Sequence, residues 1–158
     1  MQAMHGALFD TCAFVYWHGD YEKFQSALFK AMDMIRKEKL PLLLSVVSVQ
    51  EILSWAAAKG ASELRTTEAF IRDNFNVLDY FDKAARSAAF FQAETSIPKI
   101  KPKSEMRISV DAWFRDAALA GAAIDYQIPL IVTGDRKFAD SVRKYKSYLG
   151  RVELLEET

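Results

Sequence analysis

One cysteine, Cys12, is too few for a disulfide within the chain, and a reducing compartment is expected. Two histidines, His5 and His18, without other spaced ligands, make no transition-metal motif and read as surface or packing residues. No apolar run approaches the roughly 18 residues needed to cross a bilayer. The opening MQAMHGALFD has neither a basic n-region nor a long apolar h-region. No signal peptide is therefore expected, and the protein is expected to be cytoplasmic and to have no membrane partner. An excess of charge of one sign is also missing: 21 Lys and Arg stand against 21 Asp and Glu. Net charge alone names no polyanionic partner, and only a local patch would attract one. There is no internal repeat, no low-complexity tract and no Ser/His/Asp arrangement for nucleophilic catalysis.

What is present is an ordinary globular composition, 51% apolar and 27% charged, over 158 residues. That length suits one domain, 1–158, with a sizeable core. Strand-like and helix-like segments alternate. Residues 7–10 suit a first short strand. Phe24, Leu28, Met32 and Ile35 recur at helical spacing, which predicts an amphipathic helix over about 21–37. Leu40-Pro41 breaks it, and the apolar run 42–47 suits a buried parallel strand. Further helices are expected over 48–59, stopped by Gly60, and over 62–74. A short strand at 76–79 precedes a helix carrying Ala84, Ala88, Phe91 and Ala93. Residues 98–107, PKIKPKSEMR, read as a loop, after which Ser109 caps an alanine-rich helix to about Tyr126. Strand 129–133, a helix near 138–146 and a strand near 149–154 complete the pattern. Such alternation predicts an α/β sandwich with a mainly parallel sheet and right-handed crossovers.

In a parallel sheet the carboxyl ends of all strands share one edge, where α/β proteins bind ligands. Asp10 ends the first strand. Glu51 stands in the first predicted turn of the helix after the second strand. Asp135 lies two residues past the strand ending at Thr133, and Asp116 lies on the helix feeding that strand. Asp125, nine residues further on, should face away. Carboxylates gathered at one edge raise one another's pKa and cost stability if left bare. A hard divalent cation such as Mg²⁺ or Mn²⁺ relieves this and, once bound, activates water and stabilises negative charge on phosphate.

Each acid also has a structural reading. Ser48-x-x-Glu51 has the spacing of a helix capping box. Gly134-Asp135 is turn chemistry. Asp116 could pair with a basic neighbour on its helix. Asp10 is the hardest to explain otherwise, since it ends a buried apolar run. Trp17, Trp55 and Trp113 suit core or interface packing better than base stacking. Cys12 reads as a small buried residue.

LFDT at 8–11, SVQE at 48–51 and DAALAGAAIDYQIPLIVTGDRKF at 116–138, in this order and spacing, resemble a PIN domain. The resemblance implies a three-layer α/β/α sandwich and a metal-dependent nuclease. Single-domain relatives are mostly VapC-type toxins of toxin–antitoxin pairs; others serve in RNA processing. It implies that Asp10, Glu51, Asp116 and Asp135 hold Mg²⁺ or Mn²⁺, and that Thr133 orients the site by hydrogen bonding. It further implies an RNA substrate, a homodimer and a cognate antitoxin. Cys12-Ala13-Phe14 departs from the family's usual polar residue after the first acid. The approach to Asp116 is longer than usual, and the Asp116 helix reads AALAG where an Ile-Ala-Ala pattern is more usual.

Two other functions are weighed against the nuclease. A haloacid dehalogenase-like phosphatase also begins with a strand-ending Asp, but needs a second Asp two residues on, where Cys12 stands. A catalytically inactive PIN-like module, docking protein or RNA, is opposed by the presence of all four acids. Lys99, Lys101, Lys103 and Arg107, on a proline-stiffened segment before the Asp116 helix, are candidate nucleic-acid contacts, with a solvated loop as the alternative.

Overall fold

The computed structural model describes residues 4–95 and 105–158, with side chains from residue 114 onward in the second stretch. Five strands form the sheet: β1 (Ala7–Phe9), β2 (Leu42–Ser45), β3 (Asn76–Leu78), β4 (Leu130–Thr133) and β5 (Arg151–Leu154). Between them run α1 (Thr11–His18), a 3₁₀ turn at Glu22–Phe24, α2 (Gln25–Lys37), α3 (Val46–Lys59), α4 (Ala61–Asn74), α5 (Asp82–Thr95), α6 (Glu105–Asp125) and α7 (Arg136–Lys144).

The strand order is β3-β2-β1-β4-β5, and every pairing is parallel. Leu8 pairs with Leu43 on one side and Ile131 on the other. From β1 the chain builds outward through β2 and β3, then returns to add β4 and β5 on the other side. The β1/β4 boundary is therefore the point where the winding reverses, and the carboxyl ends there diverge to leave a crevice.

Side-chain alternation divides the core in two. Ala7, Phe9, Leu44, Leu130 and Val132 join Phe14, Leu28, Ile35, Ile52 and Ile71 on one face. Leu8, Leu43 and Ile131 join Phe91, Ala117, Ala120, Phe138 and Val142 on the other. A parallel sheet buried on both faces reads as continuous apolar runs, as β1 and β4 do. The expected three-layer α/β/α sandwich is thus the observed fold, with all strands parallel.

Small residues bring α6 against α5. A Cβ on Gly121 would lie 2.3 Å from the Ala84 carbonyl oxygen and 2.7 Å from the Ala88 nitrogen. Gly60 separates α3 from α4 at φ 129°, a conformation that favours glycine.

Four local expectations are corrected. Residues 11–18 form α1, where no helix was expected. Its sequence, TCAFVYWH, is apolar almost throughout and has no helical period. It is helical because Asp10 caps it and because Phe14 and Trp17 pack into an aromatic group with Phe9, Phe70 and Phe75. The second strand ends at Ser45, not at residue 47. Ser45 caps α3 by accepting the Val47 N–H at 3.2 Å. Ser48 is buried inside that helix, so the Ser48–Glu51 capping box does not form. Helix α6 begins at Glu105, ahead of the expected Ser109 cap, and takes in Arg107.

Candidate active site

Asp10 leaves β1 at its carboxyl end and caps α1. Its Oδ1 accepts the Thr11 N–H at 2.7 Å. Its Oδ2 accepts the Thr133 hydroxyl at 2.7 Å and the Cys12 thiol at 3.4 Å. Thr133, fully buried at the end of β4, in turn accepts the Asp135 N–H at 3.0 Å. The Cys12 sulfur accepts the Gly134 N–H at 3.2 Å. These bonds knit the ends of β1 and β4 together and fix the Asp10 carboxyl group in one orientation. Asp135 caps α7, with Oδ1 accepting the Phe138 N–H at 2.9 Å.

Asp10, Glu51, Asp116 and Asp135 all line one open cavity of about 690 Å³ at the winding reversal. That volume is within the usual range of ligand clefts, roughly 300–1,000 Å³. The four acids come from the end of β1, the second turn of α3, the middle of α6 and the cap of α7. Glu51 reaches the cavity from the second turn because α3 starts at Val46. Asp125 does not line the cavity, as its place on the helix predicted.

The electrostatics are those of crowded acids. Burial pushes the Asp10 carboxyl above its ordinary value, and Asp135 adds to the push. The bonds from Thr133, Cys12 and Thr11 oppose it. Asp116 is raised to about 8, first by burial and then by the charges of Asp10, Asp135 and Glu51. Arg115 acts the other way on Asp116. It is bound to Glu51, Nη1 to Oε2, at 2.5 Å.

The donor set fits a hard divalent cation in kind, since four carboxylates and several hydroxyls face the crevice and the one sulfur, of Cys12, is engaged by Asp10 and Gly134. Among the described residues no three Asp, Glu, His or Cys side chains stand close enough to hold an ion directly as they are. Asp10 is committed to Thr133 and Thr11, Asp135 to Phe138, and Glu51 to Arg115. Mg²⁺ requires less than a closed cage, because it keeps several waters and takes one or two carboxylates directly.

Several lining residues escaped the sequence reading: Cys12, Tyr16, Ser48, Arg115, Arg136 and Lys137. Cys12 is half-buried and bonded within the site rather than packed in the core. Burial and the Asp10 charge push its thiol up to about 12, which favours the protonated form over a nucleophilic thiolate. The Tyr16 ring lies over Gly134, where a Cβ would come within 2.4 Å of Cε2. It stacks on Phe24 at 3.7 Å between centroids. The cations were legible only as neighbours of acids, in RD at 115–116 and DRK at 135–137.

His18 packs against Phe14 and Phe70 and meets Thr67, and His5 is exposed, so neither joins the site. Trp17 is a packing residue, and Trp55 lies under Lys59 at 3.7 Å on the surface. Lys99, Lys101 and Lys103 lie outside the described residues, as do the side chains of Arg107 and Trp113.

A parallel α/β/α sandwich with acids gathered at its winding reversal defines a class, and the comparisons name it. The PIN domain family model matches residues 7–144, and the chain belongs to that family. Three solved structures share its fold. VapBC2 from Rickettsia felis, bound to a promoter DNA fragment, has 13% identity and a TM-score of 0.67, over 95% of this chain and 98% of that one. A toxin–antitoxin complex from Klebsiella pneumoniae has 17% identity and a TM-score of 0.63, over 97% and 100%. DNA-bound VapBC from Salmonella typhimurium has 20% identity and a TM-score of 0.62, over 96% and 99%. No curated protein matches the sequence. Among the described residues no helix is long and apolar enough to cross a membrane.

Proposed function

We propose that this PIN-domain chain is a Mg²⁺- or Mn²⁺-dependent endoribonuclease, the toxin of a VapBC-type toxin–antitoxin pair. The observation that supports this most directly is the meeting of Asp10, Glu51, Asp116 and Asp135 around one cavity at the winding reversal. Such a concentration of acid, partly buried at Asp10, Glu51 and Asp116, costs stability unless a cation uses it. The toxin assignment rests on family membership and on the fold shared with the solved VapBC structures. Antitoxin and homodimer partners follow from the same likeness, and the cytoplasm is their common compartment. Light scattering on the purified chain, against its 17.9 kDa protomer mass, tests the dimer.

Asp10, Glu51, Asp116 and Asp135 would hold the cation. When bound it supplies Lewis-acid activation of water and charge stabilisation at phosphate. The chain's own contribution is orientation. Thr133 directs its hydroxyl at Asp10 Oδ2 and keeps that carboxylate from turning. Burial and the charges of Asp10, Asp135 and Glu51 favour the protonated form of the Asp116 carboxyl while no cation is present. Its ionisation is therefore coupled to loading of the site.

The test is cleavage of single-stranded RNA by the purified chain, with Mg²⁺, with Mn²⁺ and in excess EDTA. Cleavage that needs the cation supports the assignment. Cleavage that persists in EDTA overturns the metal chemistry. Failure to cleave, with tight RNA or protein binding, overturns the enzyme in favour of a docking module.

A further inference from the structure

The cavity that the acids line is also lined by three cations: Arg115, Arg136 and Lys137. Their placement is costly in local terms. Arg136 and Lys137 occupy the first turn of α7, where the only nearby acid on the helix is its cap, Asp135, whose Oδ1 is taken by the Phe138 N–H. A helix N-terminus carries positive partial charge and disfavours cations, by about 0.3–1 kcal/mol each. Lys137 has no carboxylate partner among the described residues. Arg136 holds Glu156 with both side chains more than half exposed, and Arg115, half exposed, holds Glu51, which is 29% exposed. A pair as exposed as Arg136–Glu156 contributes little to stability. Each guanidinium therefore holds a carboxylate oxygen that a phosphate can replace, with better bidentate geometry.

From this we infer that Arg115, Arg136 and Lys137 form the site for the substrate's backbone phosphates on either side of the scissile bond. The inference rests on the nuclease reading of the acidic cavity, and names which of the chain's own groups hold its substrate. It also answers a problem of charge. A nucleic acid brings a phosphate to a cavity of four acids on a chain of zero net charge. Basic side chains at the cavity itself offset that charge at the point where the phosphates arrive.

The test uses an Asp10→Asn background, so that RNA survives, and a fluorescently labelled single-stranded RNA. Affinity is measured across a salt series for the background chain and for three derivatives. One carries Arg115→Gln, Arg136→Gln and Lys137→Gln. A second carries Lys30→Gln, Lys83→Gln and Lys146→Gln, exposed residues outside the cavity. A third carries Lys99→Gln, Lys101→Gln and Lys103→Gln. Each lost phosphate contact on a single strand lowers the salt slope by about 0.7. The first derivative is expected to lose close to two units of slope and at least tenfold in affinity. The second should lose little of either. The inference is overturned if the first derivative keeps its slope, if the second loses as much, or if only the third does. Circular dichroism checks folding, and a triple variant that does not fold is replaced by its three single changes. Failure of the nuclease reading looks different: the unsubstituted chain then cleaves no RNA in the presence of cation.

Discussion

At the scale of single residues, Asp10 carries most. It caps α1, accepts the Thr133 hydroxyl and faces the cavity. Asn keeps the cap through its carbonyl oxygen and leaves the Thr133 hydroxyl free to turn. Asp10→Asn should therefore fold normally, and should melt at the same or a higher temperature because a crowded charge is gone. Its RNA cleavage should fall by about 10²-fold or more. Full activity in this variant would remove Asp10 from the site. Asp116 makes a prediction about pH. Its folded-state pKa, about 8, lies above the ordinary 3.8. The native state holds this proton more tightly, so the stabilisation is complete below 3.8 and is lost as pH rises through about 8. Without cation, the melting temperature should fall over that window. In Asp116→Asn the fall should be smaller, as differential scanning calorimetry across pH would read.

Among the elements, α5 and α6 set how the third acid is presented. Gly121 lets α6 lie against the Ala84–Ala88 backbone, and Asp116 stands on the same helix five residues earlier. A methyl group at Gly121 meets backbone on α5, which cannot rotate aside as a side-chain tip does. Gly121→Ala gains helix propensity of about 1 kcal/mol. It should nevertheless be net destabilising by about 1–3 kcal/mol through overpacking. Denaturant titration reads the change, and a stabilised variant would contradict the close contact. Helix α1 teaches the opposite lesson. Thr, Val, Phe, Tyr and Trp are indifferent helix formers, and the segment has no apolar stripe to count. One cap and two packed aromatic faces decide it. Helix α2 was legible for the reason α1 was not: Leu28, Ala31 and Ile35 bury one stripe while the other side meets water.

Across the whole molecule, folding has to hold four acids together, and a cation that binds only the folded state should repay this. At a concentration 100 times its dissociation constant it adds about 2.7 kcal/mol. For a chain of this size that is ~5–10 °C in melting temperature. Mn²⁺ should raise the melting temperature of the unsubstituted chain by this order and that of Asp10→Asn much less. Equal shifts would mean that the ion binds elsewhere. The sequence alone determined the alternation of strands and helices, the buried runs 7–9 and 130–133, and the adjacency of Asp10 and Asp135 to their ends. Those features follow from local periodicity and from hydrogen bonds between near neighbours, which spacing records. Tertiary structure alone decided that β1 lies beside β4 with the winding reversing between them, that Glu51 reaches the cavity from the second turn of α3, and that Arg115, Arg136 and Lys137 share a cavity with the acids. Each of these depends on strand pairing and on helix rotation about the sheet. Contacts between residues tens to more than a hundred positions apart decide such matters, from Glu51–Arg115 to Asp10–Thr133, and no spacing along the chain encodes them.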